Sequence, residues 1–416
     1  MNETVLIRQF VDDVPPMSPD AFEAGRRRIL ALDQWAKARR DSRVLWFAAL
    51  VALPLVLAGM GVYYLDLQVY RTGGLAWLEG LPLYVGFPGK LAEFNLPFTY
   101  PPIAAVLFSV LTVLPVWLAN TLMTMTSFLC LSVVCFVVTR RLTQRANVVW
   151  TVSAAVPVAA LALEPVHSTF AYGQINLLLM AFVVVDCLAV TDRRWRGMLV
   201  GLAAALKLTP LIFVLYFVVR RDWRAALTSV ATFAGLAGAG FVLAPQDSAE
   251  FWFHNVLDGS RVGGIAYMTN QSLRGVLHRL NPGHSAEMVL WVVLSAIVVL
   301  LGVVAARRTR HDVVALVAIA TAGLLVSPIS WSHHWVWCVP AFLAVAFLRR
   351  NGTGVALGAL AALVSAFSLG PFNWLPSTGD KEMLWTWWQH IYGDAYTWIA
   401  IGVLVTLAWT RVPADR

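Results

Sequence analysis

The chain of 416 residues is 59% hydrophobic and only 13% charged, with 18 tryptophans and a formal net charge of +8. Soluble globular domains carry about 25% charged residues, about twice the share found here, so this class is excluded. The mean hydropathy of +0.70 also excludes a disordered chain, which would be polar. The composition predicts an all-α polytopic membrane protein, and the positions of the basic residues, described below, explain the net charge without a nucleic-acid partner.

Residues 1–43 form a polar, basic segment that precedes the first apolar run. The arginines at 26–28 and 39–40 are interleaved with apolar residues such as Ile29 and Trp35. This pattern is typical of an amphipathic basic helix on the anionic cytoplasmic leaflet. A plain positive-inside signal would explain the same charges.

Residues 44–411 are predicted to form one integral membrane domain. A first span over 44–63 leads outward into a long outer loop, 64–117. This loop is predicted to contain juxtamembrane helices, one of which begins at Pro101-Pro102. A full span at 101–117 would instead place the following arginines, 140–145, on the outer side.

The apolar segment 197–220 has Lys207 near its middle and Pro210 three residues later. A lysine at membrane depth requires a protein-enclosed or wet cavity, so we predict two half-length helices with Lys207 directed into a site. The remaining predicted spans bring the total to about 11 or 12 membrane helices. They cover 118–138, 147–163, 175–191, 226–244, 287–305, 312–329, 335–348, 354–370 and 395–410.

The basic residues are distributed unequally across this topology. Of the 31 lysines and arginines, 24 fall on the predicted inner side, six on the outer side and Lys207 within the membrane. The asymmetry predicts a multi-pass plasma-membrane protein with both termini in the cytoplasm. Most other polar residues then collect on the outer side and are expected to line a polar pocket there.

Asp66 follows the first span at the edge of the bilayer. A partly desolvated carboxylate has a raised pKa and can act as a general base. An interfacial cap, or a charge partner for Arg71, would explain the same aspartate.

Cations and histidines further along the chain are candidates for binding a phosphate. Lys207 could neutralise it as a point charge, or snorkel toward an interface. His333 and His334 could bind it or transfer a proton, or be interfacial residues among tryptophans. Arg274 could clamp a phosphate or a sugar hydroxyl, or be a solvated loop arginine.

Other polar residues are predicted to line the pocket. Glu164 could be a second acid or a simple loop charge, and Tyr100 could equally serve to start a helix. Asn270 and Gln271 are assigned with Arg274 to the phosphate or sugar. The residues assigned to the acceptor or to the cavity wall are Gln68, Tyr70, Tyr100, Glu164, His167, Gln174 and Asn176.

Several short motifs occur together and in a consistent order between about 44 and 340. They are Asp66-Leu67-x-Val69-Tyr70, Leu83-Tyr84, Pro97-Phe98-Thr99-Tyr100-Pro101-Pro102, Gly173-Gln174-x-Asn176, Lys207-Leu208-Thr209-Pro210, Asn270-Gln271-Ser272 and Ser327-Pro328-x-Ser330-Trp331-x-His333-His334. This set resembles glycosyltransferase family 87, the PimE-like branch of the GT-C transferases of actinobacteria, which use polyprenyl-phosphate sugars.

The resemblance implies a GT-C fold, a polyprenyl-phosphate-mannose donor and a catalytic aspartate at position 66. It also implies inversion at the anomeric carbon, with α-1,2 linkages typical, and a glycolipid acceptor such as a phosphatidylinositol mannoside or a related lipoglycan. Some GT-C relatives hold a divalent metal between paired carboxylates. This chain has only isolated outer carboxylates, so neither a metal nor another cofactor is expected.

The expected mechanism combines both lines of argument. Asp66 deprotonates an acceptor hydroxyl, and the polyprenyl phosphate leaves toward Lys207, with His333 or His334 and Arg274 stabilising its charge. A polyprenyl-phosphate-arabinose-dependent arabinofuranosyltransferase would need the same groups. A polyprenyl-phosphate or glycolipid flippase, or a non-catalytic membrane scaffold, are the alternatives from other functional classes.

Overall fold

The computed structural model describes residues 19–59, 62–84, 96–256, 263–348 and 354–410. These residues form α-helices, short 3₁₀ turns and a π-helical turn at Phe251–Asn255, with no β-strand among them. The helices are α1 Pro19–Asp41, α2 Arg43–Gly59, α3 Leu65–Leu78, α4 Pro102–Thr112, α5 Val116–Leu142, α6 Ala146–Ala159, α7 Glu164–Tyr172, α8 Asn176–Leu188, α9 Met198–Leu206, α10 Val214–Val219, α11 Trp223–Leu243, α12 Pro245–Glu250, α13 Leu273–Leu280, α14 His284–Arg308, α15 Asp312–Val326, α16 Cys338–Leu348, α17 Gly354–Leu369, α18 Gln389–Gly393 and α19 Ala395–Trp409.

The predicted all-α polytopic membrane fold is confirmed. Three helices, α5, α11 and α14, are long and apolar enough to cross a bilayer by length and composition. A fourth crossing results if the pair formed by 146–162 and α7, which is bent by 86°, counts as one span. The other apolar helices have 10–17 residues, so fewer helices meet this criterion than the 11 or 12 predicted.

Helix α15 occupies the centre of the bundle. Nearly every side chain from Val313 to Ala322 is buried, and the helix packs against α14, α16 and α19. A helix that is apolar on all sides is expected only where neighbours surround it completely.

The predicted first outer loop contains two helices, α3 and α4, packed against each other. With 11 residues, α4 extends about 16 Å and is too short to cross a bilayer. The contact requires Gly74, because a Cβ at this position would lie 2.7 Å from the backbone nitrogen of Ser109. Arg71 donates a hydrogen bond to the Leu114 carbonyl at 3.0 Å, so it serves the end of α4 rather than pairing with Asp66.

The predicted break around Lys207 is present. Helix α9 ends at Leu206, Lys207 is extended, and a 3₁₀ turn Thr209–Phe213 leads into α10. The N-terminus of α9 is capped from outside, because the carboxylate of Asp186 accepts hydrogen bonds from the Gly197 and Val200 amides at 2.7 and 2.8 Å. The break leaves Lys207 half-buried.

Between the predicted spans 147–163 and 175–191 lies helix α7, Glu164–Tyr172. Pro165 occupies the first turn, where its missing N–H costs nothing, and Gly173 ends the helix with a φ of 68°. Helix α7 packs against the 3₁₀ turn Ser332–Trp337. This contact brings Glu164 close to the histidine pair.

A buried ion pair fixes the segment 263–281. Arg279 and Asp394 are both completely buried, and the guanidinium Nε donates to the Asp394 carboxylate at 3.0 Å. Arg279 also donates to the carbonyls of Ala266 and Asn270 at 3.2 and 3.1 Å. Asp394 is in turn bonded to Nδ1 of His390 at 2.8 Å. The pair connects this segment to the start of α19.

The basic segment contains α1, of which only a small part contacts the bundle. Trp35 packs edge-on against Phe136 at 6.4 Å and lies under the guanidinium of Arg140, whereas Ile29 is 68% exposed. Residues 1–18 lie outside the described residues, and the division of the chain at residue 43 remains a prediction. The four cysteines are free thiols within the helices.

Candidate active site

One cavity of about 1800 Å³ collects most of the predicted site residues. Its walls come from the start of α3, residues 96–101, α7, the Lys207 break, residues 263–278, the first turns of α14 and the turn that carries the histidine pair. The predicted residues that line it are Asp66, Tyr100, Glu164, His167, Gln174, Lys207, Arg274, His333 and His334. Residues separated by more than 260 positions therefore share one cavity.

Asp66 lies in the first turn of α3, whose entry is fixed by backbone contacts. Tyr64 adopts a left-handed φ of 51° and its amide donates to the Ala171 carbonyl at 2.8 Å. Burial raises the pKa of Asp66 above its usual value. A side-chain hydrogen bond from Gln174 and the charge of Lys207 act in the opposite direction. The carboxylate therefore has increased proton affinity while its charged form keeps two supporting partners.

Gln174 is oriented by a buried tyrosine. Tyr70 donates its hydroxyl to Oε1 of Gln174 at 2.7 Å, which leaves the amide NH₂ as the group facing Asp66. The hydroxyls of Tyr70 and Tyr100 are 3.2 Å apart. Burial raises the pKa of both phenols, so both stay protonated and can donate. Tyr70 does not line the cavity; it supports the residues that do.

The ammonium of Lys207 is held by three groups. Its Nζ lies 3.2 Å from Oδ1 of Asn176, 3.0 Å from Nε2 of His334 and 5.6 Å from the centre of the Tyr100 ring. An ammonium has only donors, so Nε2 of His334 accepts and its proton is on Nδ1. The contacts hold one positive charge at the cavity wall.

His333 has a different environment from its neighbour. Its Nε2 is buried without a hydrogen-bond partner, although the residue lines the cavity. Its carbonyl is fixed by hydrogen bonds from Thr169 at 3.0 Å and from Asn176 at 2.9 Å. A buried imidazole nitrogen without a partner is a site at which a ligand can bind. Both histidines reach the cavity, but only His333 has this ring nitrogen unoccupied.

Glu164 lines the cavity, but hydroxyl groups already occupy its carboxylate. It accepts hydrogen bonds from Ser168 and Ser332, both at 2.7 Å, and from Tyr396 at 3.1 Å. Ser332 immediately precedes His333 in the chain. Glu164 thus ties α7 to the histidine turn and to α19, and its geometry indicates a positioning role.

Arg274 faces the cavity from α13, together with a carboxylate that the sequence analysis did not single out. Its Nε lies 3.4 Å from Glu287, and its guanidinium lies over the Trp291 ring at 5.4 Å. His278, one turn along the same helix, contacts Glu287 through Nδ1 at 2.8 Å. The i, i+4 spacing of Arg274 and His278 could have indicated this shared face.

Five predicted residues do not line the cavity: Tyr70 and Asn176, which hold residues that do, and Asn270, Gln271 and Gln68. Asn270 accepts a hydrogen bond from the Ser330 amide and donates to the Ile265 carbonyl, both at 3.0 Å. Gln271 donates to Gly393 at 2.7 Å and accepts from the Tyr396 amide at 3.2 Å. These buried amides hold loops together, so their position does not support the predicted contacts with phosphate or sugar. Gln68 is half-buried on α3, away from the cavity.

Among the described residues, no group of three or more His, Cys, Asp or Glu side chains is arranged to hold a metal ion. The Asp66 carboxylate lines the same cavity as Lys207 and interacts with its charge. The ammonium of Lys207 is grouped with two imidazoles, those of His334 and His333. Such a set suits an anion. The expectation that no metal is needed remains a prediction.

Comparison with known proteins gives a consistent family relationship. The model described as "Glycosyltransferase family 87" matches residues 98–328. The chain is 40% identical to a Mycobacterium tuberculosis protein, over 88% of this chain and 90% of that protein. It is 38% identical to a Mycolicibacterium smegmatis protein, over 89% of each. Both are named polyprenol-phosphate-mannose-dependent alpha-(1-2)-phosphatidylinositol mannoside mannosyltransferase.

A second Mycolicibacterium smegmatis protein is 32% identical over 84% of this chain and 82% of its own length. Its name specifies a phosphatidylinositol pentamannoside mannosyltransferase that depends on the same donor. No solved structure gives a significant match.

Proposed function

The chain belongs to glycosyltransferase family 87, and on this premise we propose that it transfers mannose from a polyprenyl-phosphate-mannose donor to a phosphatidylinositol mannoside or a related lipoglycan. The proposed linkage is α-1,2 and the anomeric carbon is inverted. Relatives at 40% and 38% identity carry the same donor, linkage and acceptor class in their names. The protein is therefore a membrane-bound glycosyltransferase.

The observation that carries the mechanism is the placement of Asp66 and Lys207 in one cavity. Lys207 acts on the Asp66 carboxylate through its charge, and Gln174 acts through a hydrogen bond. A base and a cation in one cavity can together assist a displacement at a sugar carbon, because one acts on the attacking group and the other on the leaving group. The base acts on the incoming oxygen and the cation on the departing phosphate.

In the proposed step, Asp66 removes the proton from an acceptor hydroxyl while that oxygen attacks the anomeric carbon. The bond between this carbon and the phosphate oxygen breaks, and its electron pair leaves with the polyprenyl phosphate. The raised pKa of Asp66 increases the proton affinity of the carboxylate. The bond broken is sugar C–O, so no nucleotide takes part.

Lys207 and His333 are the proposed ligands of the departing phosphate. The ammonium is held by Asn176 and His334, so it stabilises the developing negative charge without first having to be positioned. Nε2 of His333 supplies a further polar contact. Arg274 keeps N–H groups beyond its Nε contact with Glu287, and we assign these to phosphate or sugar oxygens.

We further propose that the cavity opens on the extracytoplasmic side of the plasma membrane and that both termini are cytoplasmic. Arg220, which is predicted to be cytoplasmic, contacts a second predicted cytoplasmic loop. It donates a hydrogen bond to the Thr309 carbonyl at 3.1 Å and forms an ion pair with Asp312 at 3.1 Å. Asp312 begins α15, whereas Val326 at its other end lines the cavity. The cavity and Arg220 therefore lie at opposite ends of the central helix α15, as expected if the arginine is cytoplasmic and the cavity is on the other side.

The test uses purified protein in nanodiscs with radiolabelled polyprenyl-phosphate-mannose and a phosphatidylinositol mannoside acceptor. Glu79 is an exposed acid just after α3, so Glu79→Gln is the control variant. We expect wild type and Glu79→Gln to transfer label that an α-1,2-mannosidase then releases from the product. Asp66→Asn should remain folded and transfer none. Turnover by Asp66→Asn would refute the base assignment. Transfer only from polyprenyl-phosphate-arabinose would refute the proposed sugar.

A further inference from the structure

A second, apolar cavity lies beside the central helix. This apolar groove has a volume of about 320 Å³ and is formed by α15, the histidine turn with α16, α17 and α19. Its lining includes Val317, Leu324, Trp337, Ala341, Ala356 and Val403. Thr321 and Cys338 are among the few lining residues with a polar side-chain atom. The chemistry of such a groove favours a hydrocarbon ligand.

A small bridging cavity of about 60 Å³ adjoins both the apolar groove and the active-site cavity, because it shares lining residues with each. Lys207 and His334 line both this bridging cavity and the active-site cavity. Leu324 and Trp337 line both the bridging cavity and the apolar groove. The three cavities therefore adjoin one another in sequence, from the proposed phosphate site to the groove.

Two stacked aromatic rings form part of the wall of the bridging cavity. The ring of Trp337 stacks on Phe213 at 4.9 Å with an interplanar angle of 29°. Phe213 belongs to the 3₁₀ turn that immediately follows the Lys207 break. The segment that contains Lys207 and this turn therefore also forms one side of the bridging cavity.

We propose that the apolar groove binds the isoprenoid tail of the polyprenyl-phosphate donor, a conclusion that rests on the proposed function. The head end of the path carries Lys207 and His334, which suits a phosphate. Leu324 and Trp337 line the small bridging cavity next to these groups and also the larger apolar groove. A single chain attached to one phosphate fits this series of cavities, whereas a membrane phospholipid brings two acyl chains.

The first test narrows the apolar groove by side-chain substitution. Ala341→Phe and Ala356→Phe each place a ring at the lining of the groove. Ala359→Phe adds the same ring on the exposed side of the helix that carries Ala356 and is the matched control. Initial rates are measured with a long-chain polyprenyl-phosphate-mannose and with an analogue whose tail has two isoprene units.

Loss of tail burial should raise the KM of the groove variants for the long-chain donor by about tenfold. Their KM for the short donor should stay within about twofold of wild type, and Ala359→Phe should match wild type with both donors. Equal weakening with both donors would overturn the groove assignment, because it would indicate a general packing defect. Unchanged values with the long donor would overturn it as well.

A second measurement does not depend on turnover. A polyprenyl phosphate with a diazirine in its second isoprene unit is photolysed with wild-type protein, and the labelled peptides are identified. Label in α15, α16 or α17 supports the groove even if wild type transfers no mannose, a result that would refute the proposed function alone. Label elsewhere, or label that a diacyl phospholipid removes as effectively as unlabelled polyprenyl phosphate, would overturn the groove assignment.

Discussion

The Nζ of Lys207 lies 3.0 Å from Nε2 of His334, although the two residues are 127 positions apart in the chain. The contact joins the break after helix α9 to the 3₁₀ turn Ser332–Trp337. Lys207 is thereby held in place, with His334 as the acceptor of one of its hydrogen bonds. This arrangement leaves His333 as the histidine whose Nε2 is unoccupied.

Replacing Lys207 should affect catalysis more than folding. We expect Lys207→Met to lower kcat/KM by about 10²–10³-fold, because the departing phosphate loses its preorganised cation. Methionine has a similar volume and removes a half-buried charge, so thermal unfolding in nanodiscs should change little. Lys381→Met, an exposed lysine, is the control. A loss of less than threefold in Lys207→Met would contradict the phosphate assignment.

The two histidines should differ in their effects. His333→Phe removes the unoccupied Nε2 and should raise the KM for the donor. His334→Phe removes the acceptor of Lys207 and should chiefly lower kcat, because the ammonium loses one of its fixed contacts. Steady-state kinetics with varied donor concentration distinguish these patterns. Identical profiles for the two variants would argue against separate roles.

The activity of the enzyme should fall at acidic pH. A general base works only when deprotonated, so kcat/KM should fall as pH drops through the pKa of Asp66. Because burial raises this pKa, the acidic limb should lie above the ordinary aspartate value of about 3.9. Gln174→Leu removes a hydrogen bond that stabilises the charged carboxylate and should move the limb to higher pH, by about one unit.

Gln68→Leu is the matched control for that pH profile, because Gln68 lies on the same helix as Asp66 but outside the cavity. Its limb should coincide with that of wild type. A limb that stays in place in Gln174→Leu, or that moves to lower pH, would show that another group controls the profile.

Breaking the buried Arg279–Asp394 pair should destabilise the protein. Arg279→Met leaves the Asp394 carboxylate fully buried without its arginine, and such changes cost about 3–5 kcal/mol. Thermal unfolding should therefore occur at clearly lower temperature. Arg274→Met, which removes a cavity-facing arginine from the same helix, should reduce activity with a smaller effect on unfolding. Equal unfolding temperatures for Arg279→Met and wild type would disprove the anchoring role.

The reaction should not require a divalent metal. The proposed charge-neutralising group is the ammonium of Lys207 rather than a cation held by paired carboxylates. We expect protein treated with EDTA and dialysed against metal-free buffer to retain its rate of mannose transfer. Loss of activity that Mg²⁺ or Mn²⁺ restores would show that a metal takes part.

Local properties of the chain account for what could be predicted from the sequence. Apolar runs indicate helices, and Pro101-Pro102 indicates the start of a short one, now seen as α4. A lysine followed by a proline inside an apolar segment predicts the break at Lys207, because neither residue suits a continuous helix in lipid. An aspartate directly after the first apolar run is likewise visible without tertiary information.

Other features depended on neighbours that are distant in the sequence. Asn270 and Gln271 resemble ligands in the sequence, but their amides bond to backbone groups of other segments. Glu164 could have been a free acid, but three hydroxyls reach its carboxylate. A buried polar group must find partners, and whether these are a ligand or other parts of the protein depends on which segments pack beside it.

The sequence by itself determined that this is a helical membrane glycosyltransferase, because hydrophobic periodicity, charge asymmetry and short motifs are properties of the chain. Only the tertiary structure decided which polar groups face the active-site cavity. It also decided which histidine supports Lys207 and where the apolar groove lies. Cavities are spaces between helices that are remote in the sequence, so their shape arises only when those helices pack together.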